Sequence, residues 1–138
     1  MRIEVSRDIA TCQRLRRQVF IKEQGVSEAD ELDGLDEAAV HLLALEGERP
    51  VGTARLLVKG AVGKIGRVCV LPEARGTGLG AALIRSALEV LRAQPGVAEA
   101  LLGSQVHAMG FYAKLGFVAE GEEYMDAGIP HVDMRRGL

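Results

Sequence analysis

Apolar residues recur along this chain with two periods, and the alternation between them marks out its elements. Residues 2–5 read as a short strand. Ile9, Cys12, Leu15, Val19 and Phe20 then fall at helical spacing, which predicts a helix over Ile9–Gln24 with Arg14 and Arg17 on another face. Gly25 ends it. Two apolar runs, residues 40–46 and 51–58, flank the turn-forming Gly47-Glu48-Arg49-Pro50, the pattern of an antiparallel hairpin. A third strand, residues 64–71, stops at Pro72. A glycine-rich stretch then opens a helix from Leu79 to Arg92, and Pro95-Gly96 separates it from a strand over residues 97–103. Residues 107–116 predict a short helix capped by Gly116, and residues 117–121 and 131–136 predict closing strands. No repeat, linker or low-complexity tract interrupts this order. It implies one α/β domain of α+β character over residues 1–138, a mixed sheet with helices packed on it.

Composition removes several classes of function. With 138 residues and 48% hydrophobic content the chain can close one core, not two. Cys12 and Cys69 sit inside apolar segments without C-x-x-C spacing or a nearby His, so they read as buried reduced thiols; no metal site is expected. Arg2, Glu4, Arg7 and Asp8 are incompatible with a signal peptide, and no apolar run approaches the ~18 residues of a membrane span. A cytoplasmic protein without a membrane partner is expected. A net charge of −2, no basic block and few aromatics (Tyr 2, Phe 3, Trp 0) argue against a nucleic-acid partner.

The candidate chemistry begins at residues 70–83, VLPEARGTGLGAAL. Gly76, Gly78 and Gly80 stand where a helix N-terminus offers unpaired N–H groups and partial positive charge, and small residues there let a phosphate approach. Arg75 adds a fork suited to phosphate oxygens. Without a ligand the same glycines make only a tight strand-to-helix turn. A Walker loop would need Lys and then Ser or Thr after its last glycine, where Ala81 and Ala82 stand. A dinucleotide fingerprint is nearer, because Gly76, Gly78 and Ala81 satisfy G-x-G-x-x-A. Yet Pro72–Arg75 intervenes after the strand, and the acid, Glu99, stands near the start of the next one.

The segment Arg75–Gly80, preceded by Val68-Cys69-Val70, resembles the Arg/Gln-x-x-Gly-x-Gly/Ala signature of the GCN5-related N-acetyltransferase (GNAT) superfamily. Phe111–Phe117, FYAKLGF, resembles the family's second signature. Residues 19–26 and 128–134 further resemble small bacterial members of the ElaA-like branch. The resemblance implies the GNAT fold, a central mixed, largely antiparallel sheet flanked by helices, with acetyl-coenzyme A as cosubstrate between splayed strands. It implies that Val68, Cys69 and Val70 pair with the pantetheine arm. The pyrophosphate is then cradled by Gly76, Thr77, Gly78, Leu79, Gly80 and Ala81, with an oxyanion donor at the Val70 N–H. Lys114 either reaches the nucleotide phosphates or is simply solvated. The implied partner is a small-molecule or peptide amine; the oligomeric state stays open, a homodimer included.

Two residues carry the implied chemistry. Ala108, Phe111, Tyr112 and Leu115 share a helix face, which by itself makes Tyr112 a core residue; the motif makes it the acid that protonates the departing thiolate. Some relatives place a basic glutamate where Ala100 stands. Glu23, Glu31, His41, His107 and His131 remain as candidate bases, with His131 preferred because the closing strand lies beside the acceptor site in the family. The acidic run over residues 28–37 cannot be an EF-hand, since Ala29 and Val40 fall at its first and last ligand positions. It reads as a solvated loop, or as an acceptor-pocket rim that attracts a cationic amine, a role that Glu120, Glu122, Glu123 and Asp126 would reinforce. Two rivals stay open: a coenzyme A-binding module without turnover, and a dinucleotide-dependent oxidoreductase.

Overall fold

The computed structural model describes residues 1–138. Seven strands form one sheet: β1 (Arg2–Ser6), β2 (Val40–Glu46), β3 (Arg49–Lys59), β4 (Val62–Val70), β5 (Glu99–Gln105), β6 (Val118–Asp126) and β7 (Ile129–Gly137). Their order across the sheet is β1-β2-β3-β4-β5-β7-β6, and only β4 and β5 run parallel. The helices are α1 (Ile9–Arg16), α2 (Glu28–Glu31), α3 (Leu79–Arg92) and α4 (Met109–Ala113). None is long and apolar enough to cross a membrane. The mixed, mostly antiparallel sheet is the one expected.

Strand alternation divides the core between two faces. Leu42 and Ala44 of β2 turn to one side and Leu43 and Leu45 to the other. On the first side lies α3, whose Leu79, Leu83, Ile84, Ala87, Leu88 and Leu91 form a fully buried stripe. Gly63 of β4 admits it: a Cβ there would collide with the Leu91 side chain. On the second side Cys12 and Leu15 of α1, with Val19 of the helical segment that follows it, cover Leu43, Leu45 and Cys69. Both thiols are free and buried, and burial pushes Cys69 up to about 12.

Two elements differ from expectation. The helix predicted over Ile9–Gln24 is α-helical only to Arg16; Arg17–Glu23 continues as a π-helix, with Gln24 N–H donating to Val19 C=O at 3.0 Å. Residues 28–37 are not a solvated loop. Glu31 and Asp36 are buried because three arginines from separate elements reach them: Arg16 at the end of α1, Arg55 in β3 and Arg67 in β4. Arg16 is wholly buried, bonding Glu31 through Nε and Asp36 through Nη1 and Nη2 at 2.8 and 3.1 Å. Arg55 bonds Asp33 at 2.6 and 2.8 Å and Asp36 at 3.0 Å. Gln13 Nε2 and His41 complete the shell, at Asp36 Oδ2 and Asp36 C=O respectively.

The cluster contains three guanidinium groups and three carboxylates, so its formal charge cancels. Hydrogen bonds from Arg55 hold Asp33 down at about 2. Burial pushes Asp36 up, but the bonds from Arg16, Gln13 and Arg55 outweigh it and hold that carboxyl well below the usual range. Breaking a buried pair strands the remaining charge. Arg16→Ala is therefore expected to destabilise the fold by about 3–5 kcal/mol, measured by urea unfolding at neutral pH. The depressed carboxyl pKa values also set a pH window, because a group whose folded pKa lies below its unfolded value stabilises only while ionised. This contribution is complete above about pH 5 and falls away toward about pH 2. Unfolding midpoints over that range should decline, and more gently in Asp33→Asn; an unchanged slope would remove Asp33 from the account.

Candidate active site

The site originates in a bulge. Across β3 and β4, Thr53 faces Cys69 and Arg55 faces Gly66, so that Ala54 alone opposes Arg67 and Val68. Arg67 takes φ +50° there. On its other edge β4 pairs with β5 only from Val62↔Glu99 to Ile65↔Leu102, while β4 continues to Val70 and β5 to Gln105. The two strands therefore separate beyond Ile65, leaving backbone groups of β4 unpaired along an open wedge. Leu71 N–H donates to Val51 C=O, and alternation turns Cys69 to β3 as well, leaving Val68 and Val70 facing the wedge. Cys69 is thus misplaced in the expectation: its backbone is paired with Thr53 and its side chain is in the core.

The glycine loop follows directly. Gly76 and Gly78 adopt φ +76° and +82°, left-handed values that side chains rarely take, and Gly78 caps α3. No acceptor in the chain takes the N–H groups of residues 76–81, so these donors fan out at the N-terminus of a 14-residue helix. Leu79 contributes only its N–H, because its side chain is core, and the Thr77 hydroxyl donates to Ala74 C=O at 2.6 Å. Gly80 packs against Phe111, bringing the two sequence motifs together. Arg75 departs from expectation. Its guanidinium is held by both Glu23 oxygens at 2.7 Å, and its Nε donates to Val70 C=O at 3.1 Å. It braces the π-helical segment against the strand end, and Glu23, bonded to it and held below the usual carboxyl range, makes a poor base.

A cavity of about 520 Å³ fills the wedge and the space above it, reaching Val68 but not Val70. Tyr112 and His131 both line it. The Tyr112 ring meets Phe111 and Phe117 edge-on, at centroid distances of 5.0 and 6.2 Å, and burial pushes its phenol up. Its hydroxyl has no partner in the chain. His131 Nδ1 lies 2.7 Å from Ile129 C=O, so that nitrogen is the donor, and in the neutral ring Nε2 is the acceptor. Tyr124 stacks on His131 at 6.0 Å and donates to Asp133 Oδ1 at 2.6 Å.

The remaining candidate bases are disposed elsewhere. Glu31 is paired with Arg16, buried His41 bonds Asp36 C=O, and exposed His107 bonds Gln105. Ala100 is core. Lys114 lies in a separate groove with Arg85, Arg92 and Arg136. The acidic segment does rim the cavity, through Asp30 and Asp33, but the arginines beside it were missed: Arg55 and Arg67 line the same space. A signal for them exists, since each is a lone charge inside an apolar strand run, where burial demands a partner.

Residues 8–138 match the family model described as an acetyltransferase (GNAT) domain. The uncharacterized N-acetyltransferase YjcF of Bacillus subtilis is 40% identical over 123 residues, covering 88% of this chain and 87% of that protein. The crystal structure of Escherichia coli ElaA superposes with a TM-score of 0.84 at 30% identity, covering 98% of this chain and 99% of that one. A Bacillus subtilis acetyltransferase solved in complex with CoA shares the fold, with a TM-score of 0.77 at 20% identity over 99% and 98% of the two chains. This chain belongs to the GNAT family of acetyltransferases.

Proposed function

We propose that this enzyme transfers the acetyl group of acetyl-CoA to a primary amine of a small molecule or peptide, by direct attack in a ternary complex. The observation that carries the reading is the partnerless Tyr112 hydroxyl in the same cavity as the open edge of β4 at Val68. The unaccepted N–H groups of residues 76–81 suit a pyrophosphate, and a shared fold with a CoA-bound acetyltransferase supports the donor. Family membership displaces the dinucleotide alternative.

The donor supplies an activated thioester; the protein supplies position and proton traffic. Val70 N–H is free for the pantetheine arm, whereas its C=O is already taken by Arg75. The oxyanion donor moves from Val70, expected from sequence, to Val68, whose backbone faces the wedge and whose side chain lines the cavity. His131 Nε2 accepts the proton that an ammonium must lose before it can attack. Tyr112 then protonates the departing thiolate. Its raised pKa keeps the phenol protonated through the neutral range, which is the form an acid requires. Arg75 acts by bracing the strand end, and Lys114 is assigned to the nucleotide phosphates, with Arg85 and Arg136 in the same groove.

Two substitutions separate these roles. Coenzyme A is expected to raise the Tm of the parent by binding the native state, and Gly78→Val to abolish the shift, because a β-branched residue cannot hold φ +82° without reshaping the loop. An undiminished shift in a folded Gly78→Val protein would refute the cradle. Tyr112→Phe keeps the ring packing and deletes one hydroxyl. Single-turnover acetylation of an amine found by screening for thiol release should slow by about 10²-fold or more, with coenzyme A affinity little changed. A rate within about threefold of the parent would transfer the acid role to water or another group.

A further inference from the structure

Arg67 is the least satisfied cation of the buried cluster. Arg16 uses Nε, Nη1 and Nη2, and Arg55 places both terminal nitrogens on carboxylates. Arg67 uses Nη2 alone, shared at 3.2–3.3 Å among Asp30 C=O, Glu31 C=O and an Asp33 oxygen. Its Nε is buried without a hydrogen-bond partner, 3.6 Å from Glu31 Oε1. Its Nη1 has no acceptor in the chain and, unlike Nε, is not sealed from solvent. Burial, then the charge of Arg55, hold the Arg67 pKa below its ordinary value, whereas those of Arg16 and Arg55 are raised.

Position makes this incomplete cation informative. Arg67 adopts φ +50° in the bulge, a conformation that disfavours any residue with a Cβ. It immediately precedes Val68, about 3.8 Å along the chain, and its side chain lines the cavity that holds Tyr112 and His131. That cavity is bipolar. Arg55, Lys64 and Arg67 line it from β3 and β4, while Asp30 and Glu31 of α2, Asp33 just after it and Asp126 of β6 supply the acids. A simple cationic amine would meet the acids favourably and the free guanidinium unfavourably. A zwitterion answers both.

We propose that Arg67 is a specificity-determining residue whose free Nη1 donors take the carboxylate of the acceptor. The substrate is then an amine that carries a carboxylate a few bonds away, an amino acid or a peptide end. This rests on the acetyltransferase reading of the same cavity and deepens it. A charge-assisted N–H···O contact from Nη1 to a carboxylate is about twice as strong as one between neutral groups. Pinning of the α2 loop through Nη2 leaves the Nη1 donors unused, so loop support alone does not account for them.

Binding tests this without requiring turnover. To the protein saturated with coenzyme A, matched pairs of N-acetyl amino acids and their carboxamides are titrated by calorimetry, across α- and ω-amino acids. At least one acid is expected to bind about tenfold or more tightly than its amide, the scale of a charge-assisted contact. Arg67→Gln should erase that ratio while leaving the amide unaffected, and Arg67→Lys should keep part of it; melting curves verify that each variant is folded. Equal binding of acid and amide throughout, or equal weakening of both by Arg67→Gln and Arg67→Lys, would overturn the proposal. Thiol release from acetyl-CoA with the corresponding free amines and amino-acid amides addresses the other reading. Release with amides as fast as with acids would sink only the carboxylate site, and no release with any amine would sink the acceptor assignment itself.

Discussion

Charge neutrality inside the fold is the constraint on which the rest depends. A buried guanidinium such as that of Arg16 is tolerated only when its bonds replace the water it loses. The carboxylates that replace that water come from one short acidic stretch, whereas the guanidiniums come from α1, β3 and β4. Each ion pair therefore also fixes a crossing of the chain. Residues 28–37, with only one helical turn and a brief 3₁₀ segment of their own, are held over the end of the sheet by this exchange of charge. They form one wall of the cavity as a result.

The bulge ties that wall to the wedge between β4 and β5. One additional residue in β4 resets the alternation, so that Cys69 turns to Thr53 and Val68 and Val70 turn to the wedge. It also places Arg67 directly before Val68, at the mouth of the wedge. The same residue thus belongs to the charge cluster, to the strained backbone and to the cavity wall.

Legibility in the sequence followed the range of the interactions. The glycine loop and α3 were readable because backbone conformation and a helical stripe are local properties. The pairing of Phe111 with Gly80 was implied by two motifs, although neither shows the contact by itself. The acidic segment was read as solvated because its partners are distant, with Arg55 about twenty residues beyond Asp33 and Asp36. Arg75 was read as a phosphate ligand for a related reason. Nothing near it in sequence announces Glu23, which a π-helical turn brings to it from 52 residues away. Tyr124 escaped notice because its reach to Asp133 and His131 depends on the register of β6 and β7.

The outer strand of the sheet carries a consequence of a different kind. Every residue of β6 is exposed, including Val118 and Met125, and one row of its backbone groups faces solvent. Such an edge is a template on which further strands can grow. Glu120, Glu122, Glu123 and Asp126 place four carboxylates along these nine residues, and the register with β7 breaks between Glu120 and Tyr124. Charge and irregularity together blunt the edge. The acids that suggested an attraction for amines thus also protect the folded protein from its own copies.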